Sequence, residues 1–325
     1  MTTSQMTKSI LLISLLVHFQ SFGQNPRNEV VISDIQLFWK SYDLLSNAKN
    51  RKDSVQTFNE NYINKVSAGL SEYFKYDKSI QNVAEKYIDL IQRFPNYYRS
   101  IRYSTVNQEG NSKKIKKIIS KYRLIFPTLN IPKITLGVGF FGTGGLRVDD
   151  SSNVFIGTEY YFSKSADFKE FGSKPTFLHP ANTIPEVAIH EITHTNLKNA
   201  DSTMLFSCLG EGAGVFMTTL IAGNKALTGP GGIPEKLLSY ILSNRNSLFE
   251  DFEEDIYKLK NDSSVSKWFY GNDELNYPSL LNYGLSYFIC KSYYDNSPDK
   301  SKAIREIVTL KNYKNIWTES RIGQK

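Results

Sequence analysis

Along residues 30–127 the apolar positions recur every three to four residues: Ile35, Phe38, Tyr42 and Leu45 make one stripe, Val83, Tyr87, Leu90 and Ile91 another. Residues at that spacing share one face of a helix, so this stretch is predicted to be a series of amphipathic helices. Near residue 130 the pattern breaks at Pro127, Asn130 and Pro132, which mark a boundary. Residues 134–141 (ITLGVGFF) are short, apolar and partly β-branched, and they run into Gly142-Thr143-Gly144-Gly145. They read as a strand and a tight loop, and residues 154–157 read as a second strand. Beyond residue 184 the helical spacing returns, and no repeat of fixed period is found. The expected fold is α+β and mostly α-helical: an N-terminal helical region (24–130), then a domain (131–325) with a small β-sheet.

The first 23 residues have a different pattern. Lys8 supplies a positive start, residues 10–19 (ILLISLLVHF) an apolar middle, and Ser21-Phe22-Gly23 small residues where a signal peptidase reads. Residues 1–23 are therefore expected to be a signal peptide cleaved before Gln24, with the protein exported to a periplasm or beyond the cell. A buried N-terminal helix or an uncleaved anchor is the alternative, although ten apolar residues are short for an anchor. No cysteine stands at the cleavage site, so no lipid anchor is expected there. No other apolar run reaches the length of about 18 residues that a membrane-spanning helix needs, so no stable membrane insertion is expected after cleavage.

The chain has 325 residues, 40% hydrophobic and 13% aromatic, enough apolar material for one large core or two moderate ones. Loss of residues 1–23 removes Lys8 and no acid, taking the formal charge from +7 to +6. The one cationic run, Lys113, Lys114, Lys116, Lys117 and Lys121, has no interleaved aromatics of a nucleic-acid-binding kind. It reads as the solvated face of a helix, and no nucleic acid partner is expected. Cys208 and Cys290 could form one disulfide in an oxidising compartment or remain buried thiols.

The chemistry is concentrated in Pro185-Glu186-Val187-Ala188-Ile189-His190-Glu191-Ile192-Thr193-His194. Pro185 suits a first helical turn and no breaker follows it. Positions i and i+4 share a helical face, so His190 and His194 can offer two neutral imidazoles to one zinc ion, which binds them without losing its charge. Glu191 falls beside that site, where a carboxylate outside the ligand set can take a proton from an attacking water. The competing account is a chance match on a buried helix.

Catalytic zinc sites have three protein ligands as a rule. Positions three and six beyond His194 hold Leu197 and Ala200, which excludes a third histidine there. Glu211, within Gly210-Glu211-Gly212-Ala213-Gly214, is the preferred third ligand, because small neighbours allow its helix to approach the first closely. Asp201 and His179 are the alternatives, and Glu211 could instead be a helix-terminal or salt-bridging acid.

His190-Glu191-x-x-His194 with a downstream Glu211-Gly212-x-Gly214 resembles the gluzincin class of zinc metallopeptidases, in which a later Glu-Gly-x-Ala-like segment supplies the third ligand; here Gly214 stands in place of the alanine. Together with the glycine-rich strand and loop and with Tyr283-Gly284-x-x-Tyr287, residues 131–295 also look like a bacterial family of predicted zinc-dependent proteases. The resemblance implies a zincin-like catalytic domain whose strand at 134–141 walls the cleft and binds an extended substrate by strand addition; an ordinary core strand is the alternative. The Gly-x-Met-Glu-Asn motif of certain aminopeptidases is not matched, so exopeptidase action gains no support. Tetrahedral intermediates need a donor for their oxyanion, and Tyr283 is the candidate, against a role in core packing.

The expected function is hydrolysis of a peptide or protein substrate with one Zn2+ held by His190, His194 and Glu211, Glu191 as general base and Tyr283 at the oxyanion. A zinc-binding interaction protein without turnover and a zinc amidohydrolase acting on cell-wall material are the rivals. Oligomeric state and cleavage preference are not legible.

Overall fold

The computed structural model describes residues 30–322, apart from 77, 148–152, 163, 165, 173–174, 176 and 199–200. Residues 1–23, read above as a signal peptide, lie outside the described residues. The chain begins with a short strand, β1 (Val30–Val31), and then the helices α1 (Ser33–Leu44), α2 (Arg51–Asn61), α3 (Ala68–Phe74), α4 (Val83–Arg93), α5 (Pro95–Val106) and α6 (Glu109–Ile125). These are the amphipathic helices the spacing predicts. In α6 the five lysines are all exposed while Ile115, Ile119 and Tyr122 are buried.

The strands follow: β2 (Lys133–Gly137), β3 (Leu146–Arg147), β4 (Asn153–Gly157), β5 (Tyr161–Phe162) and β6 (His179–Pro180). A mixed sheet runs in the order β1-β2-β4-β3, with β1, β2 and β4 parallel and β3 antiparallel to β4; β5 and β6 pair separately. Because Val30 and Val31 pair with Ile134 and Thr135, the sheet joins residues from either side of position 130. The rest is helical: α7 (Ile184–His194), α8 (Met204–Ala222), α9 (Glu235–Ser243), α10 (Arg245–Asp255), α11 (Lys267–Tyr270), α12 (Leu281–Asn296), α13 (Lys300–Thr309) and α14 (Tyr313–Ser320). The fold is thus α+β, mostly helical, with a small mixed sheet.

One apolar core runs from Val30 to Ile322, and α8 passes through it between α7 and α12. The Thr203 hydroxyl caps α8 by accepting the Phe206 N–H (3.3 Å), and Gly223, at φ 98°, ends it. Contrary to the expectation of no second long apolar run, Met204–Ala222 is long and apolar enough to cross a membrane. It is, however, mostly buried within the fold, where its apolar faces meet other helices. Close packing against α12 depends on Gly212, since a Cβ there would stand 2.5 Å from the Ser286 hydroxyl oxygen. Cys208 on α8 and Cys290 on α12 are buried and unbonded.

The helices ahead of the sheet brace α7. The Tyr122 hydroxyl of α6 meets the Thr193 hydroxyl at 3.0 Å. Just past α7, Asn196 exchanges two hydrogen bonds with the Asn130 backbone, accepting its N–H (2.9 Å) and donating to its carbonyl (3.0 Å).

The strand expected at 134–141 ends at Gly137, and this β2 is a core strand rather than a substrate-binding wall. β2 is flanked by β1 and β4, the Val138 carbonyl accepts both the Tyr62 and Tyr87 hydroxyls (2.8 and 2.7 Å), and the Gly139 and Phe141 N–H groups donate to the buried Glu159 carboxylate (2.6 and 3.1 Å). Backbone groups already engaged in this way cannot pair with an added strand. The sheet edge that reaches the cleft is β3, whose Leu146 and Arg147 line it.

Candidate metal centre

α7 builds the site locally. Pro185 sits in its first turn, where a missing N–H leaves no hydrogen bond unmade. One turn of helix then separates His190 from His194, and their rings lie 4.7 Å apart at 80°. His190 is only 3% exposed, so its imidazole has left bulk water.

Glu211 reaches the two rings from α8. Its Oε2 stands 3.2 Å from His190 Nε2 and 3.5 Å from His194 Nε2, and one ligand atom from each of the three residues lies within 4.8 Å of the others. Donors on a tetrahedral ion with bonds of about 2.1 Å are about 3.4 Å apart, so both carboxylate spacings match the edges of such a tetrahedron. Among the described residues this is the one His/Cys/Asp/Glu group close enough to hold a metal ion. The alternatives fall away. Asp201 lines the same cleft, but its carboxylate accepts the Tyr313 hydroxyl (2.7 Å) and the Thr203 N–H (2.8 Å). His179 lies on β6, beside the Tyr161 ring, and lies outside the metal-binding group.

Packing orients His190. Its Nδ1 is buried with no hydrogen-bond partner, leaving Nε2, which faces Glu211, as the nitrogen in polar company. The ring is wedged by two glycines: an added Cβ would stand 2.6 Å from His190 Cε1 at Gly214, and 3.5 Å from His190 Cβ at Gly231. A side chain at position 214 would therefore meet the His190 ring.

Glu191 is buried beside the histidines. Burial raises its carboxyl above the ordinary value, and the His194 and His190 rings offset only part of that rise. Burial would raise Glu211 too, but the two histidines outweigh it and hold that carboxyl well below its usual range. Burial would lower the His194 imidazole; Glu211 more than compensates, and the net shift is upward. The two acids are thereby separated in basicity, Glu191 being the better proton acceptor. Gly145, at the end of the glycine loop, lies against Glu191: a Cβ there would come within 2.9 Å of Oε1.

Tyr283, on α12, faces the same cleft with its ring nearly parallel to that of His190 (14°, centroids 6.0 Å apart). Burial first, and the Glu211 carboxylate second, hold its phenol well above the ordinary value, so it stays an O–H donor. Tyr287, one turn on, packs against Phe288 away from the cleft.

Three residues were missed from sequence. Arg147 donates to the His194 carbonyl (3.0 Å) and ties β3 to the end of α7; Glu159 holds the glycine segment; Lys260 stands at the cleft. Only Arg147 had a signal, as the first charge after the glycine-rich turn. No family model, curated protein or solved structure matches the chain.

Proposed function

We propose that this protein is a zinc-dependent peptidase with a zincin-like catalytic domain, exported by way of residues 1–23. What supports it is one arrangement: two imidazole nitrogens and a carboxylate oxygen converge at tetrahedral spacing in an open cleft, with a second, more basic carboxylate alongside. His190, His194 and Glu211 would hold the ion, and two neutral imidazoles with one carboxylate are a donor set that suits zinc. When bound, zinc supplies Lewis acidity to water and to the scissile carbonyl.

The chain's own groups do the rest. Glu191, its basicity raised by burial, takes the proton from the attacking water and delivers it to the departing amine. Tyr283 donates its O–H to the oxygen on which negative charge accumulates. β3 offers the free sheet edge nearest the cleft, where an extended peptide can pair alongside Leu146 and Arg147.

Metal content and turnover of purified protein, followed on peptides and on cell-wall fragments, test the proposal. We expect about one zinc per chain, loss of tight binding in His190→Ala, His194→Ala and Glu211→Ala, and peptide cleavage that Glu191→Gln lowers by about a hundredfold or more while keeping the metal. Cleavage unaffected by Glu191→Gln, or of cell-wall fragments alone, would overturn it.

A further inference from the structure

The cleft encloses about 450 Å³ and carries two cations besides the metal-binding group, Arg147 and Lys260. Arg147 is committed to the His194 carbonyl. Lys260 makes no ion pair with any described residue, and its Nζ rests 5.6 Å from the centroid of the Phe269 ring. Of the acids of the cleft, Glu211 is engaged by the two histidines and Asp201 by Tyr313 and Thr203, while Glu191 is buried. Of the two cations, Lys260 is the one whose side chain has no hydrogen bond or ion pair with a described residue.

Its position is held from the backbone. The Lys260 N–H donates to the Ser202 carbonyl (2.8 Å), the Met204 N–H to Lys258 (2.8 Å) and the Leu205 N–H to Ile256 (3.0 Å), so the segment runs alongside the start of α8. Glu211 lies further along that same helix, and Ser207, one turn before it, also lines the cleft. A long flexible ammonium on a fixed backbone is a mobile point charge that stays at one wall. The excess of basic residues, +7 over the whole chain, would draw anionic ligands towards it.

We propose that Lys260 is a specificity-determining residue that selects peptides bearing a carboxylate near the bond to be cut, either an acidic side chain or a free C-terminus. This rests on the peptidase reading of the metal centre. Arg147 and the sheet edge orient the backbone, and Lys260 reads the charge.

The test is equilibrium binding to the zinc-loaded full chain carrying Glu191→Gln, which binds without turnover. Three labelled peptides of one sequence are compared by fluorescence anisotropy: one with an internal Glu and an amidated end, one neutral with a free carboxylate, one neutral and amidated. At least one anionic peptide is expected to bind about fivefold tighter than the neutral one, and which of them does so identifies the source of the carboxylate. Lys260→Ala added to this background should abolish the difference without altering the neutral peptide's Kd, and Lys260→Arg should retain it. Charge-blind binding, a preference that survives Lys260→Ala, or no binding of any peptide would overturn the proposal. Failure of the peptidase reading looks different: charge-selective binding persists, while the parent protein shows no cleavage that depends on Glu191.

Discussion

Gly214 lies flat against the imidazole of His190, so close that a Cβ in its place would stand 2.6 Å from Cε1 and 2.7 Å from Nδ1. With Nδ1 unpartnered, this contact is much of what aims the ring. Gly214→Ala must therefore push His190 away from Glu211. We expect metal affinity to fall about ten- to a hundredfold, as for loss of a group that orients a ligand, and overpacking to cost about 1–3 kcal/mol. Competition with a chromogenic chelator measures the first and urea denaturation of the metal-free protein the second. Unchanged affinity would show that the ring is not held by this contact.

Tyr283 shares the cleft with Glu191 and Glu211 and keeps its proton. Removing its hydroxyl leaves the ring against His190 and takes away the donor, together with its interaction with Glu211. In Tyr283→Phe we expect kcat to drop about a hundredfold, with metal content and KM little changed. A variant that retains full kcat would return Tyr283 to a packing role.

Glu159 is wholly buried, and burial raises its carboxyl from an ordinary 4.5 to about 7, against the pull of the Gly139 and Phe141 N–H groups. Between those two values the unfolded chain has released the proton that the folded chain still holds. Stability from this group is therefore complete below pH 4.5 and is lost as pH rises through 7. The shift corresponds to about 3 kcal/mol. Glu159→Gln cannot titrate, so the stability of the parent relative to the variant should decline by about that amount from pH 4.5 to above 7. Urea midpoints across this range provide the comparison, and a difference that is flat with pH would contradict it.

How far the site could be read in advance depended on distance along the chain. His190 and His194 are four residues apart, and any helix through them aligns their rings. The helices of residues 30–127, the strand at 154–157 and the exposed lysine face of α6 were legible in the same way, from periods that each segment carries alone. Glu211 was legible only as a suitable acid among small residues. A strand was recognisable within 134–141, although it ends at Gly137, and its place inside the sheet followed from β1 and β4 on either side of it and from tyrosines reaching Val138 from α4 and from just beyond α2.

The sequence alone determined the paired imidazoles, the adjacent Glu191 and the mostly helical pattern, because local spacing and the geometry of one helix suffice for each. Only the tertiary structure decided that Glu211 meets both rings, that Gly214 wedges one of them, that Glu159 captures amides 20 and 18 residues away, and that Lys260 stands at the cleft. Those relationships arise where separately formed elements dock, and docking is set by the complementary shape and burial of whole faces, which no local period encodes.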